Sequence, residues 1–524
     1  MDTSKAFDVV SHEGMLNSFY DQGVKGTIWK LYESLYQNSQ SVVQWQGQSS
    51  SPFAELQGIR QGGTSSADSY KAGKNKLLEQ LNTTGFKLGH LHVGAVMVAD
   101  DLALISKTNI DAQSGLLIAE QDANRERYSF NTDKTKVVVI NSKHQANLQL
   151  NGRALGQSKK EVHLGIHRNE KNTSNDTVVD RVSSARRAAY SLMGAGMNGL
   201  NGTGPKVAIR QYVMYVLPTL LYGLEAVTLT NPEIDVLSAY HRKTLRHLQH
   251  LPTSTAIPAL HLLSGIPPIA AYLHIRILTL FRNIIAAKPD NPPANFIKEI
   301  IHRQLTVKDL SSQSWIIYTR KLLIRYNLPS AFSLYNDPPA KDQWMRLVKD
   351  AVFAKWTAEL VDDARNMTSL IYLNLDVCRC DKMHPVWDNI NCQLDIRKAT
   401  VKAQLLLQRY QLSSKYTDGR KNTACKVCKQ DEETVPHMLL HCPAYYNTRT
   451  IYLPRILDLF RKHSHPIDPD TIIKSLLDSS HFPDINSRTS LDQLSRNYIF
   501  KIHNIRAISL GGTSIYSSAA RGDS

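Results

Sequence analysis

Two adjacent carboxylates, Asp100 and Asp101, stand between two runs of apolar, strand-forming residues. The runs, residues 95–99 and 102–105, predict a β-hairpin with both acids at its tip. Hairpin turns favour Asn-Gly or Asp-Gly because their central residues need positive φ, so Asp-Asp is a poor choice for the turn alone. Neighbouring like charges repel unless a cation lies between them, and Mg²⁺ binds to one or two carboxylates together with substrate phosphates. The pair therefore indicates either a magnesium site or an exposed acidic turn.

The segment between residues 425 and 442 holds three cysteines and one histidine at a spacing that suits a metal ion. The four residues are Cys425, Cys428, His437 and Cys442. Three thiolates and one imidazole form a closed tetrahedral zinc site, and these soft ligands favour Zn²⁺ over Mg²⁺. His441 is a rival ligand, although the spacing to Cys442 favours His437. A zinc module is therefore predicted, with unrelated free cysteines as the alternative.

The other three cysteines, Cys378, Cys380 and Cys392, lie close to His384 in the sequence but match no trusted ligand spacing. They are interpreted as buried thiols rather than as a second metal site. Six cysteines in 524 residues do not make a disulfide framework, and all six fall in the last third of the chain. This usage indicates a reducing compartment.

The charge balance is strongly basic, with 62 Lys and Arg against 46 Asp and Glu and a net charge of +16. Such a chain attracts polyphosphates, because each neutralised phosphate releases counterions. Hydrophobic residues make up 42% of the chain, enough to bury a core and to exclude a disordered protein. The N-terminus lacks the features of a signal peptide, and no apolar run reaches the roughly 18 residues of a membrane helix. We expect a soluble, intracellular protein with no membrane association.

The first 140 residues alternate between helix-like and strand-like patterns. Apolar spacing predicts helices at 15–20 and 28–35, and a third that starts at Ser65 or Ser66, buries Tyr70, Leu77, Leu78 and Leu81, and stops before Gly85. Strands are predicted at 42–45, 95–105 and 136–140. This order predicts an α+β arrangement with helices packed on one face of a sheet.

From about residue 172 the apolar pattern becomes helical. A helix that opens at Asn231-Pro232-Glu233 is expected to bury Leu237 and Leu245 on one face. Its opposite face is expected to carry His241, Arg242, Lys243, Arg246 and His247. A solvated helix face is favoured over a surface that follows a nucleic-acid backbone. Prolines at 289, 292 and 293 then predict a linker.

Residues 98–101, Val-Ala-Asp-Asp, resemble the third palm motif of reverse transcriptases, in which an aromatic-Ala-Asp-Asp turn holds the metal ions. Val98 stands where the family commonly has Tyr or Phe. Residues 2–8 resemble the first palm motif, whose aspartate binds metal and whose aromatic residue, here Phe7, selects deoxynucleotides by clashing with a 2′-hydroxyl. The resemblance implies that Asp2, Asp100 and Asp101 are catalytic and hold two Mg²⁺ ions.

Three further stretches resemble palm motifs in the family order. Residues 58–66 resemble the second motif, in which Gln61 and Gly62 position template and nucleotide. Residues 131–136 resemble the fourth, in which Lys134 protonates the pyrophosphate or steadies the triphosphate. Residues 163–166 resemble the turn that grips the primer, here Leu164 and Gly165. Five motifs in order are far more specific than any one of them.

Residues 433–443 resemble the C-terminal CCHC region of non-LTR (LINE-type) retrotransposons, which is thought to bind nucleic acid. The chain as a whole resembles a non-LTR retrotransposon reverse transcriptase. The resemblance implies an RNA-directed DNA polymerase that uses an RNA template, a DNA primer and dNTPs, with Mg²⁺ and Zn²⁺ as cofactors.

The implied fold is a right-hand polymerase palm without fingers, followed by helices and a zinc module. We expect a palm at 1–167, a helical thumb and connection at 168–287, and a linker with a mostly helical region at 288–414. A CCHC module at 415–450 and a helical segment with a disordered tail at 451–524 complete this division.

The fingers of this family precede the first aspartate, which here is the second residue. We therefore expect an N-terminally truncated chain that is a weak or inactive polymerase. The alternative function is a non-catalytic nucleic-acid-binding remnant that uses the basic thumb and the zinc module.

Overall fold

The computed structural model describes residues 1–3, 5–60, 63, 65–288, 292–413 and 423–511. Gln61 and Gly62 lie outside the described residues, and so does the tail predicted to be disordered. The chain divides into two compact units. Unit 1 comprises Met1–Thr177, Phe281–Ser312 and Ala331–Pro338, and unit 2 comprises Val178–Leu280, Gln313–Ser330 and Pro339–Ser524.

Helices make up most of the described chain. They are α1 (His12–Asp21), α2 (Gly26–Tyr36), α3 (Ser66–Leu81), α4 (Asn109–Arg125), α5 (Asn175–Ser191), α6 (Pro205–Gln211), α7 (Leu217–Leu221), α8 (Asn231–Leu248), α9 (Ile257–Ser264), α10 (Ile269–Ile285), α11 (Pro292–Leu305), α12 (Trp315–Arg325), α13 (Ala331–Asn336), α14 (Lys341–Arg365), α15 (Gln393–Leu406), α16 (Tyr446–Lys462), α17 (Pro469–Leu477) and α18 (Ile485–Ser509). Among the described residues no single helix has the length and apolar character to cross a membrane. Only α9 and α10 together meet that test, as a pair bent by 61°.

The strands are short and pair locally. They are β1 (Gln40–Ser41), β2 (Gln44–Trp45), β3 (Gln48–Ser49), β4 (Phe53–Ala54), β5 (Phe86–Leu88), β6 (Leu91–Val93), β7 (Ala95–Val98), β8 (Asp101–Leu104), β9 (Lys136–Val137), β10 (Gln149–Leu150), β11 (Arg153–Ala154), β12 (Gly156–Gln157), β13 (Lys160–His163) and β14 (Ile166–Asn169). Within the described residues they form two-stranded pairs, all antiparallel except β9 with β12. The predicted mixture of helix and strand is confirmed, but the expected single sheet is replaced by these pairs.

The β7–β8 hairpin packs on α3 and α4 in the core of unit 1. Ala95 and Leu102 of the hairpin share a buried cluster with Leu77 and Leu81 of α3 and Leu116 of α4. The period-two alternation of the strands turns these two hairpin residues inward, while Val98 near the tip stays 54% exposed. The hairpin is therefore held at its base, and its acidic tip is free to face solvent.

Gly94 allows this hairpin to lie close to the end of α3. A Cβ at this position would lie 2.0 Å from the carbonyl oxygen of Leu81, so only glycine fits. The side-chain oxygen of Asn82 accepts hydrogen bonds from the backbone N–H groups of Gly94 and Ala95, at 2.9 and 3.2 Å. These contacts fix where β7 begins.

Unit 1 is assembled from three separate stretches of the chain. α11 begins at Pro292, since proline is tolerated at the first helical position, and it packs on β6 and on α13. The ring centroids of His302 of α11 and Tyr335 of α13 lie 5.6 Å apart. The structure thus differs from the predicted division, because residues 281–312 and 331–338 group with the first 177 residues.

α2 forms where the apolar spacing predicts a helix, but its apolar side chains are not buried. Ile28, Leu31 and Leu35 are each more than half exposed, and no residue of α2 is buried. The predicted strands at 42–45 and 136–140 are reduced to the two-residue strands β2 and β9. Local patterning therefore identifies the elements here better than it identifies what they pack against.

The core of unit 2 includes charged groups that lie against groups of opposite charge. Lys402 is 0% exposed and its Nζ lies 2.7 Å from Oδ1 of Asp492, while Arg496 lies 2.7 Å from Oδ2 of the same carboxylate. Arg496 also donates to the carbonyls of Val386 and Asp388. Removing one partner of such a buried set leaves an uncompensated charge, which is strongly destabilising.

His241 of α8 is buried, so its predicted place on the basic helix face is wrong. The Tyr212 hydroxyl donates to Nδ1 of His241 at 2.6 Å, and Nε2 donates to the carbonyl of Pro267 at 3.1 Å. The ring stacks on that of His261, with centroids 5.7 Å apart. The histidine satisfies both ring nitrogens inside the core, which its position between charged residues in the sequence conceals.

Three buried histidines make unit 2 sensitive to acid. Burial lowers the pKa of His241 to about 3, that of His261 to about 4 and that of His274 to about 3. The unfolded chain binds these protons near pH 6.5, so the stabilisation is complete above that pH and is lost as the pH falls toward 4. At pH 5 each histidine should cost about 2 kcal/mol of unfolding free energy. Urea unfolding followed by circular dichroism at pH 7.5 and 5.0 measures this loss.

The control for this prediction is an exposed histidine on the same helix as His241. His247→Gln should leave the pH dependence unchanged, whereas His261→Gln should reduce it by about one proton. An unfolding free energy that stays constant between pH 7.5 and 5.0 would contradict the prediction.

Candidate functional site

The acidic hairpin has a two-residue turn made of Ala99 and Asp100. The sequence alone predicts that both aspartates lie in the turn. In the structure Val98 pairs with Asp101, so Asp101 begins β8 and only Asp100 lies in the turn. Ala99 has a φ of 52°, in the left-handed region that favours glycine. A non-glycine residue there costs about 1 kcal/mol or more, and such strain is concentrated at functional sites. The turn directs two consecutive carboxylates away from the core.

Asp2 reaches the same hairpin through backbone pairing. The Met1 nitrogen donates to the carbonyl of Leu102 at 2.6 Å, and the Leu102 N–H donates to the carbonyl of Met1 at 3.3 Å. An exchange of both hydrogen bonds between one pair of residues is antiparallel. Asp2 follows Met1 and Asp101 precedes Leu102, so this pairing brings the backbones of the two acidic residues close together. Two of the three predicted carboxylates therefore flank one paired position, and the third is adjacent in the turn.

The strand of Asp2 is held from its other side as well. Thr3 forms an antiparallel bridge with Phe130, and the N–H of Asn131 donates to the carbonyl of Asp2 at 2.9 Å. The Asn131 side chain accepts from the N–H groups of Asp133 and Lys134 and closes a turn. Residues 1–3 thus lie between residues 101–104 and residues 130–134, and the side chains near Asp2 come from all three segments.

Lys134 lies at this edge, with its Nζ 3.7 Å from Oδ2 of Asp2. The lysine side chain is 70% exposed, so the ion pair adds little to stability. The side chain is instead free to reorient toward a bound polyanion beside the carboxylates.

Phe7 lies half-buried on the ring of Tyr70 of α3, with centroids 4.9 Å apart and planes inclined by 26°. The N–H of Ile59 donates to the carbonyl of Phe7, and the N–H of Gly58 donates to that of Val10. The segment that leads toward Gln61 and Gly62 is therefore paired with the segment that carries Phe7.

Leu164 and Gly165 form the two-residue turn between β13 and β14, both with positive φ, 51° and 75°. This is the I′ geometry that matches the twist of a hairpin, and leucine is an unusual residue for it. His163, at the end of β13, is close enough to Asp101 for the two to interact. Burial lowers the pKa of His163, and the Asp101 carboxylate opposes that shift. The hairpin thus brings residues 163–166 to the neighbourhood of the carboxylates.

A second candidate site lies in unit 2, where three cysteines and one histidine converge. The four residues are Cys425, Cys428, His437 and Cys442, and their ligand atoms all lie within 4.8 Å of one another. The Sγ atoms of Cys425 and Cys442 are 3.9 Å apart, and Sγ of Cys428 is 3.3 Å from Nε2 of His437. In a tetrahedral zinc site two sulfurs lie about 3.8 Å apart, and a sulfur and a nitrogen about 3.6 Å. The four side chains thus fit a tetrahedral ion, and His441 is not among them.

The surroundings of these side chains favour the ligand form of Cys428, whereas burial raises the pKa of the Cys442 thiol to about 12. Burial raises the pKa of Cys428, but hydrogen bonds from the backbone N–H groups of Gln430 and Asp431 outweigh it and lower that pKa. Oδ2 of Asp431 lies 3.6 Å from Nδ1 of His437, on the far side of the ring from the cysteines. A carboxylate there orients the imidazole so that Nε2 faces the ion.

This module, residues 423–445, is built into the core of unit 2. Glu433 is 1% exposed and accepts from Arg506 of α18 at 2.8 Å and from the Ser413 hydroxyl at 2.8 Å. The Tyr498 hydroxyl, also from α18, donates to the carbonyl of Leu439. The residues around the ion site are therefore fixed to the last helix at two points.

The other three cysteines do not converge on a metal. In the described part of the chain the four-residue cluster is the only group with metal-site geometry. Cys378 and Cys380 are buried, Cys392 is exposed, and Nε2 of His384 lies 3.2 Å from the buried carboxylate of Asp478.

Comparison with known proteins gives the family of the first part of the chain. Residues 1–167 match the family described as reverse transcriptase (RNA-dependent DNA polymerase). One relative is the Pol polyprotein of the type-2 retrotransposable element R2DM of Drosophila melanogaster, 28% identical over 114 residues, which cover 22% of this chain and 11% of that protein. Another is that of the type-1 retrotransposable element R2 of Nasonia vitripennis, 22% identical over 281 residues, 50% of this chain and 26% of that protein. The first 167 residues, the reverse transcriptase domain, are therefore similar to the Pol proteins of retrotransposable elements.

The matched part of the chain spans about a tenth to a quarter of the length of these two relatives. The reverse transcriptase domain ends at residue 167, within the first stretch of unit 1. It contains the three carboxylates, Phe7, Lys134 and the β13–β14 turn, whereas the cysteine module lies in unit 2.

Two residues of the reverse transcriptase domain lie at the site without having been assigned a role from the sequence. Tyr70 appears in the sequence only as an apolar position of a helix, and His163 only as the residue before the Leu-Gly turn. The Phe7–Tyr70 contact joins residues 63 positions apart, so no local spacing could have revealed it.

Proposed function

We propose that the reverse transcriptase domain catalyses RNA-templated DNA synthesis, with Asp2, Asp100 and Asp101 holding two Mg²⁺ ions. The observation that supports this most is the paired exchange of hydrogen bonds between Met1 and Leu102, which brings Asp2 close to Asp101. Bound Mg²⁺ ions would activate the primer 3′-hydroxyl and stabilise the leaving pyrophosphate. Three carboxylates from two neighbouring strands suit this ion, which prefers oxygen ligands and shares them with phosphates.

The other residues at the edge have roles in binding and orientation. Lys134 holds the triphosphate or gives a proton to the pyrophosphate, since its ammonium group is exposed beside Asp2. Phe7 faces the incoming sugar and excludes a 2′-hydroxyl. Gln61 and Gly62 position template and nucleotide, and the Leu164–Gly165 turn grips the primer. These roles follow from the resemblance of each motif to the family.

The cysteine module is proposed to hold Zn²⁺. The support is the donor set, three thiols and an imidazole with tetrahedral spacing, together with the Asp431 carboxylate behind His437. A closed site with four protein ligands leaves no position for substrate, so this ion would be structural.

Primer extension tests the polymerase proposal. The purified chain is mixed in excess with an RNA template and an annealed DNA primer, and incorporation of the next dNTP is followed with Mg²⁺ or with EDTA. Weak template-directed incorporation that requires Mg²⁺ is expected, which an excess of the chain over primer makes measurable. Binding of the template and primer without incorporation, over a range of Mg²⁺ and dNTP concentrations, would contradict the proposal.

Binding of nucleic acid without catalysis is the second candidate function. Arg242, Lys243 and Arg246 of α8 have no carboxylate within ion-pair distance among the described residues. Unpaired cations along a helix suit a phosphate backbone, and affinity for RNA should then fall steeply with salt. Salt-sensitive binding that is unchanged when the hairpin carboxylates are neutralised, with no extension, would favour this alternative.

A further inference from the structure

Phe7 rests on a residue that the proposed function does not use. The Tyr70 ring is 1% exposed and lies directly against the Phe7 ring, at 4.9 Å between centroids and 26° between planes. Phe7 itself is half-buried, so one side of its ring faces solvent and the other faces Tyr70. The buried Tyr70 ring therefore supports one face of the Phe7 ring.

Tyr70 is supported in turn by the next turn of the same helix. Lys74 is 8% exposed, and its Nζ lies 5.9 Å from the Tyr70 ring centroid and 3.2 Å from that of Tyr128. A cation over an aromatic face is attracted by the ring, more strongly when both are shielded from water. The Tyr128 hydroxyl donates to the buried carboxylate of Asp122 at 2.8 Å.

The contacts that begin at Phe7 and Tyr70 continue through Tyr128 to the strand of Asp2. The rings of Tyr128 and Phe130 meet edge to face at 5.3 Å. Phe130 forms the antiparallel bridge with Thr3, the residue after Asp2. Two ring contacts, joined by the Lys74 ammonium group, thus link Phe7 to the backbone that carries a proposed metal ligand.

The Tyr70 hydroxyl makes at most a weak contact, with the Thr3 side chain. Both oxygens are buried, and neither has a hydrogen-bond partner at normal geometry among the described residues. Both residues, with Lys74, line a cavity of about 30 Å³, which is room for a water molecule. The position of the ring is therefore set by stacking and packing.

We propose that Tyr70 is a positioning residue for nucleotide selection, because its ring holds Phe7 at the height where Phe7 meets the sugar of the incoming nucleotide. The proposal rests on the proposed function. Without the ring, Phe7 can sink toward the cavity and leave room for a 2′-hydroxyl. Tyr70 does not touch the nucleotide itself, so the chemical step should be less affected than the choice of sugar.

The test compares Tyr70→Leu and Tyr70→Phe with the unmodified full chain. Single-nucleotide incorporation on an RNA template gives kcat/KM for a dNTP and for the matching rNTP. Tyr70→Leu should lower the preference for the dNTP by about three- to tenfold, the range of an aromatic pair, mainly through a lower KM for the rNTP. Tyr70→Phe should keep the preference within about twofold, because the ring remains.

A readout independent of turnover is the stabilisation of the primer–template complex by nucleotide. With Mg²⁺ and a 3′-deoxy primer, the dNTP should raise the melting temperature of the protein bound to primer–template more than the rNTP does. Tyr70→Leu should reduce this difference between the two nucleotides. Leu77→Val is the matched control, since Leu77 is equally buried on α3 but lies in the cluster beneath the hairpin. It should lower stability without changing the preference.

Two results would overturn the assignment of Tyr70. One is a folded Tyr70→Leu protein that discriminates as well as the unmodified chain. The other is an equal loss in Tyr70→Phe, which would show that the hydroxyl acts and not the ring. If the unmodified chain neither incorporates nor binds dNTPs in preference to rNTPs, the proposed function fails too, and that outcome is distinct from the first two.

Discussion

Replacing Asp101 with asparagine is expected to lower Mg²⁺-dependent dNTP incorporation by about a hundredfold or more. Asparagine has the shape of aspartate but no charge, so the loss would come from the cations that the carboxylate holds. Metal ions contribute several kcal/mol to such transfer reactions, and each 1.4 kcal/mol is about tenfold in rate. Asp101 is exposed and Leu102 carries the packing, so the fold should persist. Single-turnover primer extension on an RNA template measures the effect.

The three carboxylates need not contribute equally. Asp2 and Asp101 flank the paired residues Met1 and Leu102, so Asp2→Asn should match Asp101→Asn, and Asp100→Asn tests the turn residue. Asp21→Asn, an exposed carboxylate at the end of α1, is the control and should extend primers at the unmodified rate. The assignment is wrong if Asp100→Asn and Asp101→Asn both retain rates within about threefold of the unmodified chain.

Removal of the metal from the cysteine module is expected to destabilise unit 2 as a whole. Structural zinc contributes on the order of 10 kcal/mol to the folding of small modules. Here Cys425, Cys442, Met438 and Leu439 belong to the same buried cluster as helices α15, α16 and α18. A zinc chelator, or Cys442→Ser, should therefore lower the melting temperature by at least about 10 °C, measured by circular dichroism at 222 nm.

The sharpest control for the metal prediction is another cysteine of the same unit. Cys392 is exposed and outside the cluster, so Cys392→Ser should leave both the metal content and the melting temperature unchanged. Asp431→Asn should weaken metal retention without abolishing it, because the carboxylate only orients His437. A purified chain that contains no zinc and melts identically with and without chelator would contradict a structural ion.

The site residues could be named from the sequence because each sits in a short motif, whereas their arrangement could not. Asp100 and Asp101 are adjacent in the chain, but which of them forms the turn depends on the register of Val98 with Asp101. Asp2 reaches the hairpin because its neighbour Met1 pairs with Leu102, 101 positions further along the chain. Such register is fixed by long-range hydrogen bonds, and no local pattern encodes it. Gln61 and Gly62 lie outside the described residues, so their roles stay predictions.

The apolar periodicity of the sequence predicts where helices form, but it predicts the burial of some side chains wrongly. The helix predicted from Ser65 or Ser66 to before Gly85 is found at Ser66–Leu81. Tyr70, Leu77 and Leu81 are buried as predicted, whereas Leu78, also predicted to be buried, is half-buried. His241 sits among charged residues and yet is buried, because Tyr212 and the Pro267 carbonyl satisfy its ring nitrogens. Polar residues of this kind are placed by partners that are distant in sequence, which periodicity does not register.

The discontinuous make-up of unit 1 has a consequence for biosynthesis. The β5–β6 hairpin leaves the ribosome roughly 200 residues before α11, the helix that packs on it. At about 5–20 residues per second that interval lasts roughly 10–40 s. During this time the β5–β6 hairpin lacks the helix that packs on it, while the first third of unit 2, Val178–Leu280, is translated. Chaperones that shield nascent apolar surface would find their longest opportunity there.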